Sequence, residues 1–244
     1  MQLPKPDSVG FETCPPGTHV AICYRFIDLG TQRYQHPGGP RDQHKVMLSW
    51  ELPDALIQEG DHAGEPFTFH QQYTWSMHEK ATLRKHLESW RGIPFREEDF
   101  GEDGCNIRDL LGKPCMLTLA PSSRSYKSQI SLLSISRLVK GKRAPHTPQN
   151  PITYFSMEGP YIDLLTFDRL SDKLQATIRK SPEYDRLTRA VPIRIWARCI
   201  EPHAQTLYGG SPNLAQTTSL LTSSGRPLSL ARQPERPAPP QKAF

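Results

Sequence analysis

The sequence predicts a mainly β fold: an OB-like five-stranded barrel with one helix between its third and fourth strands, a small α/β C-terminal extension and a disordered tail. Three observations carry that expectation. Segments with an apolar–polar period of two stand on both sides of a single stretch with helical period. Proline and glycine gather between these segments, where turns are needed. Of the 44 residues from 201 to 244, 19 are Pro, Gly, Ser or Thr, a composition that cannot build a core.

Residues 1–17 hold four prolines and two glycines and read as a flexible lead-in. In 18–29, THVAICYRFIDL, β-branched and aromatic residues are dense, which marks a strand. A long loop is expected over 30–40, around Pro37-Gly38-Gly39-Pro40. In 44–52, Val46, Leu48, Trp50 and Leu52 share one face, with Lys45, Ser49 and Glu51 on the other. In 67–76, Phe67, Phe69, Tyr73 and Trp75 oppose Thr68, His70, Gln72 and Thr74. Both are half-buried strands.

The period then changes. Met77, Ala81, Leu87 and Trp90 fall on helical spacing, so 77–90 is expected as a helix, with Ser76 and Glu79 as a capping box. A short helical turn at 107–111 and strands at 114–120 and 126–139 follow. Three strands, a helix and two strands is the element order of the OB barrel, a five-stranded Greek-key fold. The barrel domain is thus expected over 18–139.

Beyond it, 140–151 (KGKRAPHTPQNP) reads as a basic, proline-rich linker and 152–200 as the extension. That extension opens with a short apolar piece, ITYFSM. It continues with an amphipathic helix over 167–178, ending before Ser181-Pro182, and closes with an alternating strand over 191–199. No internal repeat is present.

Composition narrows the function. Mean hydropathy is −0.58, and no apolar run nears the roughly 18 residues that span a bilayer. Met1-Gln2-Leu3-Pro4-Lys5-Pro6 lacks the apolar core of a signal peptide, so a cytoplasmic protein is expected. The five cysteines form no CxxC pair and read as reduced thiols; no HExxH or Cys/His cluster suggests a metal. Gly112-Lys113 is not a phosphate-binding loop, because Pro114 follows and the upstream glycine is missing. An enzyme, most naturally a nuclease, would need clustered carboxylates. The one acidic stretch, Glu97, Glu98, Asp99, Glu102 and Asp103, reads as a solvated loop. Neither catalysis nor a cofactor is expected.

The charge points elsewhere. Net charge is +5, and 140–200 carries eleven bases against six acids while 14–139 is nearly balanced. A basic surface suits a polyanion. Single-stranded nucleic acid is held by cations on phosphates and by rings stacked on bases. The candidates near the barrel strands are Arg25, Arg33, Arg41, Lys45, Arg124 and Lys127, with the rings Tyr73, Trp75 and Tyr126. Later in the chain, Arg194, Trp196 and Arg198 form a basic face opposite Val191, Ile193 and Ile195. Each has a plainer explanation: core packing for Tyr73 and Trp75, a solvated edge for the 191–199 strand.

Five stretches also carry a resemblance: GTHVAICYRFIDLGTQ, HKVMLSWELPD, EPFTFHQQYTWSMHEKATLRKHLESWRG, IRDLLGKPCMLTL and FDRLSDKLQATIRKSPEY. Over about residues 14–185 the chain resembles a family of bacteriophage and prophage proteins described as single-stranded DNA-binding or replication-associated. The resemblance implies an OB-type domain and a role in phage DNA replication or recombination in a bacterial host. The well-known bacterial single-stranded DNA-binding proteins close with an acidic tail and a final Phe. Here the last ten residues hold one acid and two bases before Phe244, which argues against partner recruitment of that kind.

The expected function is therefore coating of single-stranded DNA, with phage or host replication and recombination proteins as further partners. A homo-oligomer fits this reading as well as a monomer does. The alternative is an OB-like adaptor that docks a replication protein and never touches DNA.

Overall fold

A computed structural model describes residues 12–101, 104–122 and 130–190. Its centre is a long antiparallel hairpin of β1 (Gly17–Tyr34) and β2 (Arg41–Leu56), followed by β3 (Pro66–Thr74). Helix α1 (Thr82–Arg91) and two short 3-10 turns lead to β4 (Pro114–Pro121) and β5 (Ile130–Ser136). The sheet runs β3-β2-β1-β4-β5, all antiparallel. A three-residue strand, β6 (Thr153–Phe155), pairs parallel with β1 off this path. The fold is mainly β, with the sheet path open between β3 and β5 among the described residues.

The alternation read from the sequence places the first core. Val46, Leu48, Trp50 and Leu52 of β2 meet Phe67, Phe69 and Tyr73 of β3 and Leu117 and Leu119 of β4 on one face. Helix α1 lays Leu83, Leu87 and Trp90 on that face, and Trp90 tilts against Trp50 with ring centroids 6.2 Å apart. Two bonds tie the helix to the strands it bridges. Ser89 Oγ donates to the Ile135 carbonyl at 2.6 Å, and Trp90 Nε1 donates to the Pro114 carbonyl at 3.0 Å.

A second core lies on the opposite face of the hairpin. Ile27, Leu29 and Met47 are covered by Phe155, Met157, Ile162, Phe167, Leu170, Ile178 and Leu187 from the extension. This explains why residues 20–30 of β1 are buried except for half-buried Arg25: the strand is covered on both sides. Helices α2 (Leu164–Asp168), α3 (Asp172–Ile178) and α4 (Pro182–Ala190) supply the cover.

Two buried carboxylates fasten it. Asp28 Oδ1 accepts from His44 Nε2 at 2.7 Å and from the Gly30 amide at 2.8 Å, and its Oδ2 accepts from the Met157 amide. Glu51, fully buried, accepts from the Gln149 and Asn150 amides and from Asn150 Nδ2, each at 2.9 Å. The end of the expected linker is therefore held against β2.

Several boundaries differ from the sequence reading. The loop expected over 30–40 shrinks to 35–40, because β1 continues to Tyr34 and pairs as far as Tyr34 opposite Arg41. A bulge between Asp28 and Gly30 lets the chain turn there without leaving the ladder. Gly30 takes φ +69° and sits so close to Ser181 that a Cβ would approach it at 2.4 Å.

The helix expected over 77–90 begins only at Thr82, with Ala81 at its cap. Ser76 instead accepts from the His78 amide in a turn. The single helix expected over 167–178 is two, broken before Asp172, and Ser181-Pro182 starts α4 as well as ending α3. Of the strand expected over 126–139, Ile130–Ser136 is observed, and 126–129 lie outside the described residues. Residues 1–11 of the lead-in expected over 1–17, the 191–199 strand and the tail lie outside the described residues, and Gly17 already belongs to β1.

Candidate nucleic-acid interface

The face of β1–β3 that turns away from α1 follows from the register. Ser49 pairs with both Arg25 and His70, and Lys45 pairs with Thr74. Arg25 Nε donates to Ser49 Oγ at 3.2 Å, and its guanidinium lies 5.4 Å from the Tyr24 ring centre. Arg25, Ser49 and His70 thus form a row across three strands. Desolvation and the charge of Arg25 pull the His70 imidazole down to about 4, so it is a neutral hydrogen-bonding group at pH 7.

Lys45 stands four residues further along β2, roughly 13 Å away at the rise of a strand. Its Nζ donates to Thr74 Oγ1 at 2.8 Å and lies 5.0 Å from the Tyr34 ring centre. Tyr34 and Arg41 are exposed partners at the hairpin end, and exposed Arg33 makes a 4.0 Å pair with Asp42. Between the two groups, Met47 is buried under the extension. The cations therefore form two patches instead of one stripe. Beside Arg25, a cavity of about 300 Å³ is lined by Tyr24, Asn150, Thr153, Thr166 and Arg169.

The ring candidates separate. Tyr73 is 3% exposed, its hydroxyl shares a 2.9 Å hydrogen bond with His86 Nδ1, and burial pushes its phenol upward. It is a core residue with no ring face left for a base. Trp75, one pleat further on, lies past the end of β3 and remains half-buried. It packs edge-on against Phe26 (5.8 Å), which stacks on Tyr154 at 5.3 Å and 15°. Trp75 and Tyr154 line a mouth cavity of about 290 Å³ with Met77, Phe100, Asn106 and Glu158. Arg108 lies 4.0 Å above the Tyr154 ring. Arg124, Tyr126, Lys127, Arg194, Trp196 and Arg198 lie outside the described residues.

The structure adds Tyr34, Arg108, Tyr154 and Arg169 to these surfaces. Their signals were weak: Tyr154 sits in the apolar ITYFSM piece, and Arg108 and Arg169 stand singly in segments read only for secondary structure.

Burial pushes the Cys23 thiol up to about 12 and Cys115 well above its ordinary value, so neither is a thiolate at pH 7. Among the described residues no group of three His, Cys, Asp or Glu side chains is placed to hold a metal, and no helix is long and apolar enough to cross a membrane. Asp99, from the acidic stretch, is committed to structure: Arg91 Nη2 and the Arg96 amide both donate to it. No protein-family model matches this chain, and no curated protein matches it in sequence.

Proposed function

We propose that this chain binds single-stranded DNA through an OB-like barrel and coats it during phage DNA replication or recombination. The element order supports the OB reading: an antiparallel β3-β2-β1-β4-β5 sheet with its helix between the third and fourth strands. In OB folds the ligand lies on the face of strands two and three and on the loop joining one and two. The observation that carries the proposal is what this chain presents there. Lys45, Tyr34, Arg33 and Arg41 gather at the β1–β2 hairpin, and Arg25 stands on the same sheet. Cations would hold phosphates, Tyr34 and Trp75 would take bases, and the unstacked strand would be favoured over duplex.

The test is fluorescence anisotropy with a labelled single strand and its duplex at two salt concentrations. Tight binding that prefers the single strand and weakens steeply with salt is expected. A second reading, a docking module for a replication protein, is favoured by Tyr161, just before α2, and Leu165 within it, 69% and 73% exposed. Absence of DNA binding at low salt would leave that reading in place of the first.

A further inference from the structure

At the C-terminal end of α1 lies a group of cations that no part of the proposed DNA interface uses. Arg91, the last helical residue, has a side chain only 7% exposed. Its Nη2 donates to Asp99 Oδ1 at 2.8 Å, which holds the aspartate well below the usual carboxylate range. Its Nε and Nη1 are buried and have no hydrogen-bond partner; the guanidinium carbon lies 5.1 Å from the Phe95 ring centre. A buried N–H without an acceptor forfeits its hydration with nothing in return, so two on one side chain need a reason.

A pocket of about 160 Å³ opens against Arg91, and Lys113 and Arg137 line it from two other segments. The remaining lining is Trp90, Leu110, Pro114 and Leu138, with no carboxylate. Arg137 lies across the helix end: its guanidinium is 3.8 Å from the place a Cβ on Gly92 would occupy. Asp99 offsets one of the three positive charges, and the helix C-terminus offsets about half of another. The pocket stays cationic. Ligand pockets for drug-sized molecules start at about 300 Å³, so this one has room for a single small group.

We infer that this pocket is a site for a phosphate group, held between Arg91, Lys113 and Arg137. Phosphate offers several strong acceptor oxygens to donors that now have none, and charge-assisted bonds of this kind are the strong ones. The site is independent of the single-stranded DNA reading, because Arg25, Lys45 and the hairpin cations do not line it. Its phosphate has three sources: free phosphate, the 5′ end of an oligonucleotide, or the internal backbone.

The test follows the Arg91 Nε–H resonance of the full chain by NMR, assigned through Arg91→Lys, during titration with inorganic phosphate at constant ionic strength. A saturable shift is expected. The double variant Lys113→Gln/Arg137→Gln alters two exposed side chains and should keep its thermal midpoint in chloride while its phosphate affinity falls about tenfold or more. No saturable shift, or equal affinity in the variant, overturns the site. Oligonucleotides then identify the source. Displacement of phosphate only by a 5′-phosphorylated strand means a terminal phosphate, and displacement by a 5′-hydroxyl strand as well means the backbone. Displacement by neither means free phosphate.

Discussion

Asp28 and His44 meet at 2.7 Å across the β1–β2 ladder, and the same carboxylate receives the Met157 amide of the extension. The hydrogen bond to Asp28 raises the His44 pKa above its ordinary 6.5 even though burial opposes it. Stability from this pair is complete below about pH 6.5, the unfolded value, and is lost as pH rises through the folded pKa. The thermal midpoint of His44→Gln should therefore fall further below wild type at pH 6 than at pH 9. His70 and His86, both shifted downward, act in the opposite sense but are common to both proteins and cancel in the difference. An equal gap at the two pH values would mean the pair carries no net charge-linked stability.

Glu51 answers three donors from 149–150. Glu51→Leu should cost about 2–4 kcal/mol in urea unfolding, since the donors lose a charged acceptor and a fully buried position must repack. A loss below about 0.5 kcal/mol would show that the segment satisfies itself with water.

Phe155 is fully buried and packs on Phe167 with centroids 6.0 Å apart. Phe155→Ala should cost about 3–5 kcal/mol, the range for emptying a large aromatic from a core. Both cores should still unfold in one transition, because β1 belongs to each. Separate transitions would mean that the extension is a second folding unit.

Lys45→Ala with Arg41→Ala should weaken single-strand binding and lower its salt slope by about two, one for each phosphate contact removed. Tyr34→Ala should weaken binding by about 1–3 kcal/mol with the slope unchanged, as loss of a stacking ring does. Anisotropy titrations at three salt concentrations separate the two effects. Unaltered binding in both variants would take the hairpin out of the interface.

Tyr73→Phe supplies the control. It removes the bond to His86 and should cost about 1 kcal/mol of stability while leaving DNA affinity as it was. A change in affinity without a change in fold would return Tyr73 to the surface.

The apolar face of each strand was legible from its period of two, and Val46, Leu48 and Trp50 lie inside as expected; that β2 is not half-buried was not, because Met47, Ser49 and Glu51 on its other face are covered by the extension and by 149–150. Nor was the continuation of β1 through Gly30. Its signal is a bulge and a close approach of Ser181, both tertiary. Ser181-Pro182 carried both meanings. It reads as a stop for the helix before it, yet Ser181 Oγ accepts from the Tyr184 amide and Pro182 occupies a first-turn position where its missing N–H costs nothing. Among the site residues, Tyr73 and Trp75 look alike by alternation. Only the end of β3 at Thr74 separates a core ring from a ring at the mouth of a cavity.

The three residues of β6 have a consequence beyond packing. On the edge away from β2, β1 is taken by β4 along 17–22 and by β6 along 25–27. Without β6, the backbone at Arg25–Ile27 would stand as a bare template in a segment rich in β-branched and aromatic side chains. So short a strand adds little sheet, yet it guards the chain against the kind of intermolecular pairing that begins amyloid. A chain cut before Thr153 would lose that guard together with the apolar cover on Ile27 and Leu29, and insolubility would be its first symptom.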